Sequence, residues 1–228
     1  MPLILILDTA TKSCSVALIE NGKVLESIDF YDGNFSHSEK LHLFIEEICT
    51  KANKSLKDLD AVAISKGPGS YTGLRIGVSS AKGLCYGLAI PLISLETLEI
   101  LSRTYCLENK VDENDILIPM LDARRMEVYT AMFDAQFNKI KDTEALILQE
   151  DSFDKILASH KCHFFGDGSG KSEKLYKRDN STFSPDIYPS TKAIAEAVHN
   201  AYLNKKFEDV AYFEPYYLKE FIDGNKTN

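Results

Sequence analysis

The chain has 228 residues, 44% hydrophobic and 26% charged, with a formal net charge of −8. That is the composition of an ordinary globular protein long enough to bury a substantial core. Its acidity excludes a broad grip on a nucleic-acid backbone. Its five scattered cysteines, with no CxxC pair, exclude a disulfide framework and a close-spaced zinc site, and no apolar run reaches the length of a bilayer span.

The apolar start MPLILILDTA lacks a basic leader and is broken by Asp8, so it reads as a strand rather than a secretory signal. Residues 3–8 predict a buried strand. Residues 13–20 (SCSVALIE) predict an alternating one and 23–30 a third, with Asn21-Gly22 between them as a two-residue hairpin turn. A helix over about 38–52 comes next, capped by Ser36 or Ser38, with Leu41, Phe44, Ile45, Ile48 and Ala52 at helical spacing. Residues 59–65 predict a strand, 72–88 a helix, 90–94 a strand and 95–106 a helix. After the polar stretch LENKVDEND come strands at 115–122, 126–134 and 139–148, a helix near 151–159, a strand at 162–166, the segment GDGSGK, and a helix at 190–204 capped by Ser190 or Thr191. An antiparallel opening followed by alternating strands and helices predicts an α/β protein with mixed sheets. The expected lobes are 1–106 and a smaller 107–220, with the 190–204 helix a candidate to pack back on the first lobe and 221–228 a polar tail. Both lobes begin with a strand ending in Asp (Asp8, Asp122), then a turn, then an alternating strand, an echo that suggests two lobes of related build.

The glycine-rich stretch SKGPGSYTGLRIG at 65–77 does not spell the nucleotide-triphosphate motif GxxxxGK[ST]. It reads either as an anion-binding strand-to-helix corner or as a tight turn in which Pro68 fixes φ while Gly67 and Gly69 supply unusual backbone angles. Asp8, Thr9, Thr11 and Ser13 read as an Asx-type turn or, where the strand-and-turn start resembles that of actin-like ATPases, as the loop that this resemblance implies would handle phosphate. With Gly67, Gly69 and Ser70 they form the candidate degenerate nucleotide site. The next helix contains Gly73, Gly77, Gly83 and Gly87, each costing about 1 kcal/mol relative to alanine. Gly73, Gly77, Ser80, Ala81 and Leu84 share a face that another backbone could approach closely, and its cover is either the 38–52 helix or a second protein. His37, His42, His160, His163 and His199 lack the i,i+4 pairing of a helical metal site and read as surface or capping residues.

ILDTATKSCSVAL, HSEKL, GPGSYTGLRIGVSSAKGL, IPLISLETL and LDARRMEVYTAMF together resemble the TsaB family of bacterial tRNA threonylcarbamoyladenosine biosynthesis proteins. The likeness covers about residues 3–134 well, and FGDGSGK and YLKE more loosely. It implies an actin-like (ASKHA, ribonuclease H-like) two-lobed fold. It also implies a role beside the paralogue TsaD, which transfers threonylcarbamoyl onto the adenosine next to the anticodon, with the ATPase TsaE as a third partner. TsaD binds its metal through two histidines four apart. Counting from Pro91, Thr97 and Leu101 stand at those positions, so the resemblance implies a non-catalytic, metal-free subunit. No cofactor is required under this reading, and any nucleotide binding is weak. The glycine-lined helix and the apolar residues alongside it give the expected TsaD interface, Leu41, Phe44, Ile45, Ile48, Gly73, Gly77, Ser80, Ala81 and Leu84, a surface that would form a homodimer when the chain is alone. tRNA is reached only through the complex, in the cytoplasm and away from any membrane. The alternative is an ATP- or metal-dependent enzyme, a small-molecule kinase or metallohydrolase, on the same fold.

Overall fold

β1 (Leu3–Asp8) is an unbroken apolar run because both of its faces are covered. In the computed structural model, which describes residues 1–33 and 37–219, Leu3, Leu5 and Leu7 pack toward one layer of helices and Ile4 and Ile6 toward the other. β2 (Cys14–Glu20) and β3 (Lys23–Phe30) continue as an antiparallel meander, joined through Asn21 and Gly22 at φ 52° and 77°. α1 (His37–Lys51) leads to β4 (Ala61–Ser65), which lies parallel to β1. α2 (Tyr71–Leu88) leads to β5 (Leu92–Leu95), parallel to β4, and α3 (Thr97–Glu108) closes the first lobe.

The second lobe repeats the plan. β6 (Ile116–Asp122), β7 (Glu127–Phe133) and β8 (Lys139–Ile147) form a second antiparallel meander. The short α4 (Asp154–Leu157) precedes β9 (Cys162–Phe165), and α5 (Glu173–Tyr176) precedes β10 (Ser181–Ser184); β9 is parallel to β6 and β10 to β9. The sheets run β3-β2-β1-β4-β5 and β8-β7-β6-β9-β10, the same order and the same strand directions twice over. This is the actin-like, ribonuclease H-like arrangement that the resemblance implied, and the Asp8/Asp122 echo marks equivalent strand ends in the two copies.

Several elements differ from the sequence reading. β10 has no counterpart in it, because four half-buried residues (STFS) are too few to show a period. The helix near 151–159 shrinks to α4, since the Ser152 hydroxyl accepts from the Gln149 N–H at 3.0 Å and holds the preceding residues in a turn. The 190–204 helix begins as a 3₁₀ turn over Thr191–Ile194 and becomes α6 (Ala195–Leu203). α1 starts at His37, so Ser38 lies inside it; Ser36 and the 221–228 tail lie outside the described residues.

α3 belongs to both lobes. Ile100 packs with Ile4, Ile6 and Ala63 of the first sheet, while Leu98, Leu101 and Tyr105 pack with Leu117, Leu121 and Phe165 of the second. Ile194, Ala195 and Val198 then cover the same face of the first sheet, so α6 packs on the lobe that the chain had left.

Candidate functional site: the paired turns

The two equivalent strand ends build two equivalent turns. In the first, Asp8 is wholly buried and its Oδ1 accepts from the Ala10 N–H at 3.2 Å. Its Oδ2 is also buried, with no hydrogen-bond partner among the described residues. Burial pushes this carboxyl up from 3.8 to about 7. In the second turn, Asp122 Oδ1 accepts from the Arg124 N–H at 2.6 Å, the same contact two residues along. Asp122 is exposed, however, and its Oδ1 also accepts from Lys171 Nζ at 2.7 Å. The Asp122 N–H donates to Asp167 Oδ1 at 2.9 Å. Burial pushes the Asp167 carboxyl up, against that hydrogen bond and the weaker pull of Lys12 from the first turn and of Lys171.

The candidate phosphate-handling hydroxyls of the first turn face inward. Thr9 Oγ1 donates to the Gly73 carbonyl at 2.7 Å, and Thr11 Oγ1 accepts from the Ser13 N–H at 3.2 Å. The Thr11 carbonyl is 2.7 Å from His37 Nε2, so this histidine pins the turn to the start of α1. The glycine corner closes over the same turn. The Ser70 N–H donates to the Ala10 carbonyl at 2.7 Å, and the Ser70 hydroxyl caps α2 by accepting from the Gly73 N–H at 3.2 Å. A Cβ at Gly69 would stand 2.3 Å from the Ala10 carbonyl oxygen, one at Gly73 would stand 2.1 Å from that of Thr9, and one at Gly77 would stand 2.3 Å from Thr9 Oγ1. These glycines let α2 lie against the lobe's own turn. Gly67, at φ 114°, faces the C-terminal segment instead, where a Cβ would stand 2.7 Å from the Tyr216 carbonyl oxygen.

This geometry corrects the residues assigned to a partner surface. Leu41, Ile45, Ile48 and Ala81 are buried in the first lobe's core, with Val78 and Cys85 beside them. Gly73 and Gly77 are consumed by the contact with Thr9. Phe44, Ser80 and Leu84 remain partly exposed, and Ser80 Oγ and His42 Nε2 share a hydrogen bond at 3.3 Å that ties α2 to α1. The outward face of these two helices is made of other residues. Leu43 is 57% and Tyr86 86% exposed, and a Cβ at Gly83 or Gly87 would meet nothing within 4 Å among the described residues. The sequence reading put the close-approach face on Gly73 and Gly77; helical spacing did not reveal that these two serve the chain's own packing while Gly83 and Gly87 face outward.

Thr97, the first residue of α3, is fully buried, and Leu101 sits in the core between the lobes, where its Cδ2 would stand 2.7 Å from a Cβ on Gly166. His163, expected as a surface or capping residue, is buried: its Nε2 pairs with Asp115 Oδ2 at 2.8 Å, and its Nδ1 lies 2.8 Å from Thr182 Oγ1 and 3.0 Å from the Tyr105 hydroxyl. Among the described residues, no helix is long and apolar enough to cross a membrane.

The model of the family described as TsaD, tRNA N6-adenosine threonylcarbamoyltransferase, matches residues 34–220. The Escherichia coli (strain K12) tRNA threonylcarbamoyladenosine biosynthesis protein TsaB is 29% identical over 233 residues, covering 98% of this chain and 97% of that protein. The TsaB of Buchnera aphidicola subsp. Schizaphis graminum is 32% identical over 199 residues, covering 84% and 90%. The solved structure of YeaZ from Pseudomonas aeruginosa superposes with a TM-score of 0.82 at 25% identity, covering 96% of this chain and all of that one.

Proposed function

The chain belongs to the TsaB family of tRNA threonylcarbamoyladenosine biosynthesis proteins, within the wider TsaD family, and on that premise we propose that it is a non-catalytic subunit that binds and supports TsaD. The observation that carries this reading is the filled interior. Where the transferase resemblance calls for an imidazole, Leu101 supplies a hydrocarbon packed between Leu98, Leu117 and Phe165. The hydroxyls that would meet a phosphate are bonded to the lobe's own backbone instead. The chain requires no cofactor, and nucleotide binds weakly at most.

The outer face of α1 and α2 is the docking surface, used for TsaD in a heterodimer and for a second copy of this chain when TsaD is absent. Two observations support it. Gly83 and Gly87 weaken α2 by about 1 kcal/mol each, and among the described residues nothing lies within 4 Å of where their Cβ atoms would stand. They would allow a partner helix to approach to near the lower limit of interaxial distance. Tyr86 stands between them, an aromatic anchor of the type that dominates interfaces. TsaE joins as the third protein, tRNA is met through the complex, and the setting is the cytoplasm.

Reconstitution tests the proposal. Threonylcarbamoyl transfer to tRNA is measured with TsaD and TsaE, with and without this chain, and with this chain alone. The expected result is strong stimulation in the first comparison and no product from the chain alone; product from the chain alone would overturn the reading. Gly83→Glu is expected to weaken TsaD binding at least roughly tenfold with an unchanged melting temperature. Undiminished binding would move the interface elsewhere.

A further inference from the structure

After α6 the chain returns along the first lobe. The Glu208 N–H donates to the Leu92 carbonyl at 2.8 Å, and its carboxylate accepts from Ser94 Oγ at 2.5 Å, so the segment starts on the free edge of β5. Lys82 Nζ then donates to the carbonyls of Ala211 at 3.2 Å and Phe213 at 2.8 Å, while Val210 and Phe213 pack on the first lobe's core. Beyond this anchored half, the Tyr216 N–H donates to the Lys66 carbonyl at 2.7 Å. The Tyr217 ring lies 4.9 Å from that of Tyr71, and its hydroxyl accepts from Arg75 Nε at 3.4 Å. Lys219 pairs with Glu127, the first residue of β7 in the other lobe.

We propose that residues 208–219 are a strap whose last four residues form a releasable latch between the lobes, closing over the glycine corner on one side and fastening to the second hairpin on the other. Three features carry this. The anchored half packs the half-buried Val210 and Phe213 on the first lobe's core and is held by the hydrogen bonds to Leu92, Ser94 and Lys82. The latch depends on a backbone bond, a tyrosine pair and an ion pair whose side chains are 40% and 18% exposed. Segments held mainly by exposed contacts open first. Gly67 fits the Tyr216 carbonyl so closely that any side chain there would hold the strap away, so this glycine serves the latch rather than a ligand. The latch spans the same two lobes that share α3, so its release frees the second hairpin to move about that helix. The inference stands on strap geometry alone and does not depend on the TsaD-binding role.

Hydrogen exchange on the full chain tests it. Lys219→Glu places like charges at the latch and changes an exposed position, so folding is expected to survive, as a thermal melt would verify. Exchange at the Tyr216 amide and across residues 123–128 is expected to rise roughly fivefold, while residues 3–8 stay protected as in the parent. Combining Lys219→Glu with Glu127→Lys restores the pair and is expected to return both regions to parental protection. An unchanged Tyr216 amide in the single variant, or a swap that fails to restore protection, would overturn the latch.

Discussion

The two lobes start from one topology and end in different states. Each has a strand ending in aspartate, a carboxylate accepting from the N–H two residues on, and glycines packed close by, against the turn in the first lobe and against the strand end at Met120 and Leu121 in the second. In the first lobe an 18-residue helix succeeds β4 and seals the turn, leaving Asp8 with no exposure. In the second lobe β9 gives way to a 3₁₀ turn and the four-residue α5, so Asp122 stays in solvent and is paired with Lys171. The first lobe has committed its turn to packing a helix whose other side faces outward. The second has kept an open, charged turn and lost its long helices. One strand plan therefore yields a sealed lobe or an open one according to the length of the helix placed after its fourth strand.

The sharpest way to break that comparison is through pH. Folding holds a proton on Asp8 more tightly than the unfolded chain does, since burial raises its pKa from 3.8 to about 7. Between these values the folded state binds more protons, so the contribution of Asp8 to stability is full below about 4 and falls as pH rises through 7. The total is on the order of 4 kcal/mol. Asp8→Asn keeps the shape and removes the titration. Denaturant unfolding from pH 4 to 8 is expected to show the parent losing stability relative to this variant over that window. Asp167, beside the second turn, has its pKa raised in the same direction by burial, against the hydrogen bond from the Asp122 N–H and the pull of Lys12 and Lys171, and Asp167→Asn is expected to show the same sign.

Packing at the sealed turn comes next. A methyl at Gly73 must move the backbone oxygen of Thr9, which would stand 2.1 Å away. Gly73→Ala is expected to destabilise the chain by roughly 3 kcal/mol, read from the denaturant midpoint. A loss below about 1 kcal/mol would mean that the α2 corner is loosely seated and that the two turns differ less than their contacts indicate.

Much of this fold was legible because its signals are local. The two-sided burial of LILILD, the Asn21-Gly22 hairpin and the helical period of residues 41–52 each depend on neighbours within a few positions, and the paired aspartates exposed the repeat. The cover over a given face was not legible. The apolar period of Leu41, Ile45 and Ile48 is the same whether a sheet or a second protein lies opposite. The contact of Thr9 with Gly73 spans 64 positions, and that of His163 with Asp115 spans 48. No local pattern encodes either, so glycines that serve internal packing read as a partner's landing site, and a buried histidine read as a surface or capping one. The strap leaves no such signal at all, because its backbone contacts carry no side-chain period.

The smallest effect has the opposite sign and separates the two faces of α2. Gly83 lies on the same helix as Gly73, in mid-helix, with open space among the described residues where its Cβ would be. In the isolated chain Gly83→Ala removes the conformational freedom that glycine brings to the unfolded state and introduces no clash, so it is expected to stabilise by somewhat under about 1 kcal/mol. If the outward glycines exist to admit another backbone, the same methyl is expected to weaken association by a severalfold increase in Kd, measured by calorimetry against TsaD or by sedimentation of the self-associated chain. A gain in stability with unchanged association would leave Gly83 without a partner, and the docking face would then rest on Tyr86 and Leu43 alone. A gain in one quantity and a loss in the other from a single added methyl is the signature expected of a helix packed by its own lobe on one side and left open for another protein on the other.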